Sequence, residues 1–417
     1  MSAVLPLIHY AVEKSPDRLH GLDAVRAIAL LLGVVLHTTM SFLPGPKIWV
    51  VADVDRSSVL AIMFYVIHMF RMVLFFLIAG FFAHMLYHRL GQAAFIRDRL
   101  KRIAMPLFVG WPILFPMIVA VFVWSAYIAG GGTLPKNPPP GPTFMPNDFP
   151  LAHLWFLWVL MLLYSITLIV RNAVNALDKN NRVRPLLDHV VKVVMTMYSP
   201  ILLAIPLAAS LYFLDNWYMW FGIPTPDQTL FANGPSWIAF GSAFTFGWLL
   251  NRQRDLLAIW SQRWLWNLSL ALVATIACLA IFQLVPVYKP ADQDGIKLAY
   301  AMCYSIGVWS WSFAILGIGL RFMSGFSPTR RYIADASYWV YLIHLPIVMA
   351  LQVWMAKWSL SWVVKFPLVL MIGLGLIFSS YHLLVRYTAI GAALNGTRRK
   401  RGAESGYGPA YPSGTPA

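Results

Sequence analysis

The chain has 417 residues, of which 59% are hydrophobic, 15% aromatic and only 12% charged, and its mean hydropathy is +0.66. That balance excludes an ordinary soluble globular protein and points to an all-α, polytopic integral membrane protein. The formal net charge of +16 is what lysines and arginines gathered on one membrane face against anionic lipid produce, so no nucleic-acid partner is called for.

Residues 1–21 lack the apolar run and small-residue cleavage site of a secretory signal, so 22–43 reads as an uncleaved first span. Nine further apolar stretches follow, at 59–84, 103–129, 153–170, 193–214, 235–250, 265–286, 298–320, 333–352 and 361–385. Most approach the ~20 residues that a bilayer requires. About ten transmembrane helices are therefore expected in one domain over 22–390, between a short segment 1–21 and a basic, then disordered, tail 391–417. Pro106, Pro112 and Pro116 fall in the third span and 235–250 is short and Gly-rich, so kinks or re-entrant geometry are expected there. The loop "GGGTLPKNPPPGPTFMPNDFP", 130–150, holds seven prolines and reads as a semi-rigid flap or linker. Cys278 and Cys303 fall inside spans and read as small buried apolar residues. There is no internal repeat, Gly-rich phosphate loop or HExxH zinc motif, and no resident cofactor or metal is expected.

Alternating the spans places 23 of the 32 Lys and Arg residues on one side and seven on the other, with Arg26 and Arg71 inside spans. The positive-inside rule then predicts an N-in/C-in topology, both termini cytoplasmic.

Ionisable side chains inside the spans are costly in hydrocarbon and mark where function belongs. In "GLDAVRAIALLLGVVLHTTMSF" (21–42), Arg26 and His37 are eleven residues apart, which on an ideal helix is about 16 Å of rise and about 20° of azimuth. Asp23, one turn from Arg26, is its expected partner. The second span runs inward and puts His68 and Arg71 about 13 and 18 Å below its outer end on one face. The ninth runs outward and puts His344 about 18 Å above its start. Three histidines and an arginine therefore share the outer half. Each has a plainer reading: a single interior His can be a packing residue, and Arg26 or Arg102 an interfacial anchor. Arg71 has the stronger functional case, because a mid-membrane Arg needs a carboxylate, a phosphate or a buried partner. His153 opens "HLWFLWVLMLLY" at an interface where the aromatic belt accounts for the tryptophans. His84, His88 and His382 read as inner-surface residues, and Asp335 as a dipole partner in the first turn of the ninth helix.

"GLDAVRAIALLLGVVLH" resembles the opening of the membrane acyltransferase family 3, whose hallmark is an Arg followed by ten residues and a His, here Arg26 and His37. Four further stretches resemble the same family in its glucan biosynthesis protein C branch: "HMFRMVLFFLIAGFF" (68–82), "RLKRIAMP" (99–106), "HLWFL" (153–157) and "DASYWVYLIHLP" (335–346). The resemblance runs from about 20 to 390. One departure is Ala79, where the family usually has Ser before Gly80; a mechanism with that serine as nucleophile does not carry over.

The resemblance implies an O-acyltransferase of a bacterial inner membrane that takes an acyl group from cytoplasmic acyl-CoA, a co-substrate rather than a bound cofactor, to a hydroxyl of a carbohydrate. In the glucan branch this is typically succinyl transfer to periplasmic glucans; succinyl and acetyl both remain open. Arg97, Arg99, Lys101 and Arg102, with Arg26 nearby, would hold the CoA phosphates. His37 would be the general base, Arg71 the partner of the oxyanion or of a succinyl carboxylate, and His68 and His344 would orient the acceptor. Glucan-synthesis or export proteins and a second copy of the chain are further candidate partners. The competing class is a transporter or flippase with a buried Arg/His substrate site, or a subunit of an export complex.

Overall fold

The computed structural model describes residues 19–282, 284–290 and 294–395. The expected segment 1–21 falls almost wholly outside this range, as does the tail beyond 395. Fourteen α-helices occur among the described residues: α1 (His20–Thr39), α2 (Ser58–Leu90), α3 (Gln92–Arg99), α4 (Met105–Ala129), α5 (Trp155–Leu177), α6 (Val183–Val194), α7 (Ser199–Tyr212), α8 (Gly234–Leu250), α9 (Leu257–Gln262), α10 (Trp264–Phe282), α11 (Asp294–Phe322), α12 (Pro328–Met355), α13 (Trp362–Ser380) and α14 (Ala389–Asn395).

The helix ends follow the local chemistry. Ser57 caps α2 by accepting from Leu60 N, and Gly91, at φ 76°, ends it in a left-handed conformation that glycine adopts without strain. Ser327 and Asn233 cap α12 and α8 in the same way. Asp55 Oδ2 accepts from Trp362 N at 2.8 Å at the start of α13, and this bond from a backbone amide holds its carboxyl below the usual range.

Each of the ten expected stretches contains helix, and among the described residues eight helical runs are long and apolar enough to cross a bilayer. The stretch at 193–214 is broken: α6 and α7 meet at 105° and together make at most a ninth span. Its interruption lies at Met195–Tyr198, ahead of Pro200 and Pro206, with an amphipathic helix before it. The Gly-rich stretch 235–250 forms the 17-residue α8, about 25 Å long against ~30 Å of hydrocarbon. The prolines of the third span do not break it. Pro106 stands just after a π-helical turn, the Arg102 carbonyl four residues before it accepts from Tyr338 Oη at 2.6 Å, and the helix continues through Pro112 and Pro116. A π-helical turn, Leu100–Ala104, joins α3 to α4.

α2 and α11 are the most buried spans and α4 and α13 the least, so the exposed Phe108, Val109 and Ile113 of α4 make a lipid-facing surface. α1 packs between α2 and α12. α2 and α8 pack with backbones in contact: a Cβ on Gly80 would strike the Phe244 carbonyl, and one on Gly247 the Leu77 carbonyl. Small residues at such crossings let helices associate by dispersion where lipid supplies no hydrophobic force. This is the role of Gly80 in "IAGFF".

Candidate active site

His37 sits in the last turn of α1, where helix carbonyls lose their intrahelical partners. Gln352 of α12 supplies partners. Its Nε2 donates to the carbonyls of His37 (2.9 Å) and Thr38 (3.0 Å) and to Ser41 Oγ (3.1 Å), while its Oε1 accepts from Trp49 Nε1 (2.8 Å). Trp49 in turn stacks on the His37 ring, with centroids 5.6 Å apart and planes at 19°. One buried amide therefore holds both the backbone and the ring neighbour of His37. The His37 Nδ1 is buried with no hydrogen-bond partner among the described residues.

Arg71 reaches the same face of α1 because Gly33, one turn before His37, has no side chain: a Cβ there would collide with Arg71 Nη1. Among the described residues no carboxylate pairs with Arg71, and its buried Nε has no partner. His68, three residues before Arg71 on α2, stacks on Phe64 at 5.3 Å.

His344 lies 5.2 Å from His37 and 5.4 Å from His153, ring centre to ring centre. Its Nδ1 is 2.7 Å from the Tyr341 carbonyl, which can only accept, so Nδ1 carries the hydrogen and the buried, unpartnered Nε2 keeps its lone pair. His153 repeats the pattern with the nitrogens exchanged: Nε2 donates to the Leu342 carbonyl (2.9 Å) and Nδ1 is left unpartnered. Tyr341 Oη donates to the His153 carbonyl at 2.8 Å, tying α12 to the start of α5. Four histidines and one arginine from α1, α2, α12 and the turn before α5 thus line a single cavity of about 900 Å³.

Two loops complete the cavity lining, beside the helices. Pro139–Thr143, Asp148 and Pro150 come from the proline-rich segment, and Thr225, Asp227 and Gln228 from the segment between α7 and α8. The former holds its shape through Asp148, whose Oδ2 accepts from Thr143 N (2.7 Å) and Oγ1 (2.9 Å); these bonds keep its carboxyl below the usual range. Burial pushes the Asp227 carboxyl up, partly offset by hydrogen bonds from its own backbone, Thr225 and Gln228. The two loops are joined by bonds from Leu230 N and Thr229 Oγ1 to the Pro146 carbonyl.

Other expected residues lie elsewhere. Arg26 pairs with Asp23 (3.3 Å) and sits over the Phe82 ring, outside the cavity lining. Arg99 is bonded to Asp98 and stands near Tyr164 Oη, Arg102 is paired with Asp98 at 2.9 Å, and Arg97 and Lys101 are exposed. Ala79 is two turns beyond Arg71 and also outside the lining. Asp335 is not in a first turn, because α12 starts at Pro328 rather than near 333. His84 is not an inner-surface residue: it is 8% exposed and bonded to Asn251 at 2.9 Å. His153, expected at an outer interface, lines the cavity. Lys365, counted among the outer positive charges, is fully buried against Asp53. Cys278 and Cys303 are free. Among the described residues no group of three His, Cys, Asp or Glu side chains is arranged to hold a metal ion.

Gly33, Trp49, Gln352, Tyr341 and Asp227 are not singled out by the sequence. Gln352, an amide inside "VMALQVWM", and Gly33, one turn from His37, are the two whose sequence carries a signal.

A family profile described as an acyltransferase domain matches residues 19–382. The chain is similar to proteins named glucans biosynthesis protein C from Escherichia coli strain SMS-3-5 / SECEC, Escherichia coli strain K12 / DH10B and Shigella boydii serotype 4. Each is 25% identical over 390 residues, covering 88% of this chain and 92% of the relative. No solved structure matches it.

Proposed function

Since the chain belongs to the acyltransferase family, we propose that it moves an acyl group, succinyl in the first instance, from acyl-CoA to a hydroxyl of a glucan or related polysaccharide, with His37 as general base. The glucan acceptor rests on the names of the relatives. The observation that carries the mechanism is the pairing, on one face of α1, of a clamped imidazole with a guanidinium that has no carboxylate partner among the described residues.

The acceptor oxygen attacks the thioester carbonyl while His37 takes its proton; the C–S bond then breaks, and the imidazolium returns that proton to the departing thiolate. Arg71 faces the negative charge, either the oxyanion formed at the carbonyl or the free carboxylate of a succinyl donor. His344 and His153 each keep a lone pair for an acceptor hydroxyl, and His68 sits beside Arg71 for the same purpose. On the N-in/C-in orientation, the donor enters from the basic side, where Arg26, Arg97, Arg99, Lys101 and Arg102 meet its phosphates. The acceptor enters beneath the proline-rich loop.

The test is thiol release by the purified protein in nanodiscs, offered succinyl-CoA or acetyl-CoA with a glucan acceptor. Acceptor-dependent release with one donor is expected, and His37→Ala should reduce it by about 10²–10⁴. Near-normal turnover in that variant would remove His37 as base. No release from folded wild type, with solute movement across the bilayer, would replace the transferase reading by a carrier.

A further inference from the structure

A second concavity, about 460 Å³, lies against the first. Its lining comes from Leu214–Tyr218, Phe221, Gly222 and Pro224 of the α7–α8 segment, with Ile48, Asn233 and Tyr288. The two spaces share a thin wall. Ile48 lines the cleft and its neighbour Trp49 the cavity; Pro224 lines the cleft and Thr225 the cavity. At both crossings the chain passes from one space to the other within a single residue, about 3.8 Å of backbone. Phe221, in the cleft, packs edge-on against Phe64, in the cavity.

The cleft's base and sides are aromatic and fixed. Trp217 is 2% exposed and donates from Nε1 to the Gly222 carbonyl at 2.7 Å. Tyr288 donates to the Pro44 carbonyl at 3.1 Å and packs against Phe221. Its rim is polar and unspent. Asp215, Asn216 and Tyr218 are exposed, and among the described residues their side chains make no hydrogen bond. Asn216 stands at φ 51°, a left-handed turn position that Asn tolerates.

The exposed Tyr218 ring, with half-buried Phe221 and Tyr288 near it and buried Trp217 behind them, stands beside a carboxylate and an amide; that set matches a pyranose ring, which offers one apolar face of C–H groups and an edge of hydroxyls. We propose that this cleft is an outer subsite for the acceptor polysaccharide, holding sugar units that do not react while a neighbouring unit enters the cavity. The assignment rests on the saccharide acceptor proposed above. Binding energy from units remote from the chemistry is the ordinary means of improving capture of a polymer.

The experiment uses the full chain in nanodiscs and glucose hexaoses with 1→2, 1→3, 1→4 and 1→6 linkages. Calorimetry should detect binding of at least one hexaose, with Kd raised tenfold or more in Tyr218→Ala and in Asp215→Ala. Both side chains are exposed, and unchanged thermal melts will confirm intact folds. With that hexaose as acceptor, KM should rise by the same factor at unchanged kcat, whereas glucose as acceptor should show no change in either variant. Failure of every hexaose to bind, or equal Kd values in wild type and variants, overturns the subsite. Tyr218-dependent hexaose binding without acyl transfer would keep the subsite and overturn the transferase reading instead.

Discussion

A single missing Cβ decides whether the reactive layer exists. Arg71 lies against Gly33 only because nothing projects from that position, and Gly33 is one helical turn from His37. Gly33→Ala should leave the fold intact, since alanine favours a helix interior over glycine by about 0.5–1 kcal/mol, yet lower turnover about as far as Arg71→Ala does. A thermal melt beside a turnover assay separates the two effects; equal turnover in Gly33→Ala and wild type would mean the guanidinium relaxes without consequence. Arg71→Lys refines the role. If the group reads the donor's carboxylate, KM should rise for succinyl-CoA and stay constant for acetyl-CoA; if it serves the oxyanion, kcat should fall with both. The motif Arg, ten residues, His draws attention to α1, yet Arg26 is turned to Asp23 and Phe82. Arg71, from another helix, stands by His37.

Helix ends and crossings set the positions of those side chains. Gln352 is the point where α12 holds the end of α1, satisfying two terminal carbonyls and the Trp49 indole at once. Gln352→Leu removes its bonds to the Thr38 carbonyl and the Trp49 indole, at about 1–3 kcal/mol for each buried group left unsatisfied, while the His37 carbonyl keeps the Met40 N–H. The expected result is a lower melting temperature and a loss in kcat larger than the loss in folded protein, because His37 and its stacked Trp49 are released together. Unchanged kcat per folded molecule would reduce Gln352 to a packing residue. The α2–α8 contact is less forgiving. Gly80→Val would force two backbones apart, so folded yield should collapse, while Ala79→Ser, one position earlier and outside the cavity lining, should neither restore nor impair turnover. The sequence forecasts helices at all these places from hydropathy alone. It does not show the 105° break within 193–214, because an apolar run of adequate length says nothing of a break that depends on residues 195–198 and on what each half packs against.

At the scale of the molecule, a buried ion pair ties the ends of the fold together. Lys365 Nζ lies 2.8 Å from Asp53 Oδ1 and 3.1 Å from Oδ2, with side chains 0% and 4% exposed. Removing one partner strands a charge: Asp53→Ala or Lys365→Met should cost about 3–5 kcal/mol, whereas the joint replacement Asp53→Leu with Lys365→Met should be close to neutral. A melting series over the three variants checks this, and additive losses in the double variant would refute the coupling. The pair joins the loop after α1 to α13, on which Asp55 also acts, so this loop is held to α13 at Asp53 and Asp55 and to α12 at Trp49.

Composition and hydropathy by themselves determined that this is an all-helical membrane chain, roughly which stretches are helical, and that the ionisable residues at mid-depth are the ones to explain. These follow from local rules, since the cost of charge in hydrocarbon and the length of a span are properties of one stretch. Depth estimates along single helices even placed His37, His68, Arg71 and His344 in a shared layer. What only the tertiary structure decided is azimuth and neighbourhood: that these faces turn to one cavity, that His153 joins them, that Gln352 reaches across 315 positions to the carbonyl of His37, and that one loop lines both the cavity and the cleft. Contacts of that kind depend on how helices far apart in the chain pack, and no local period encodes the rotation of one helix against another.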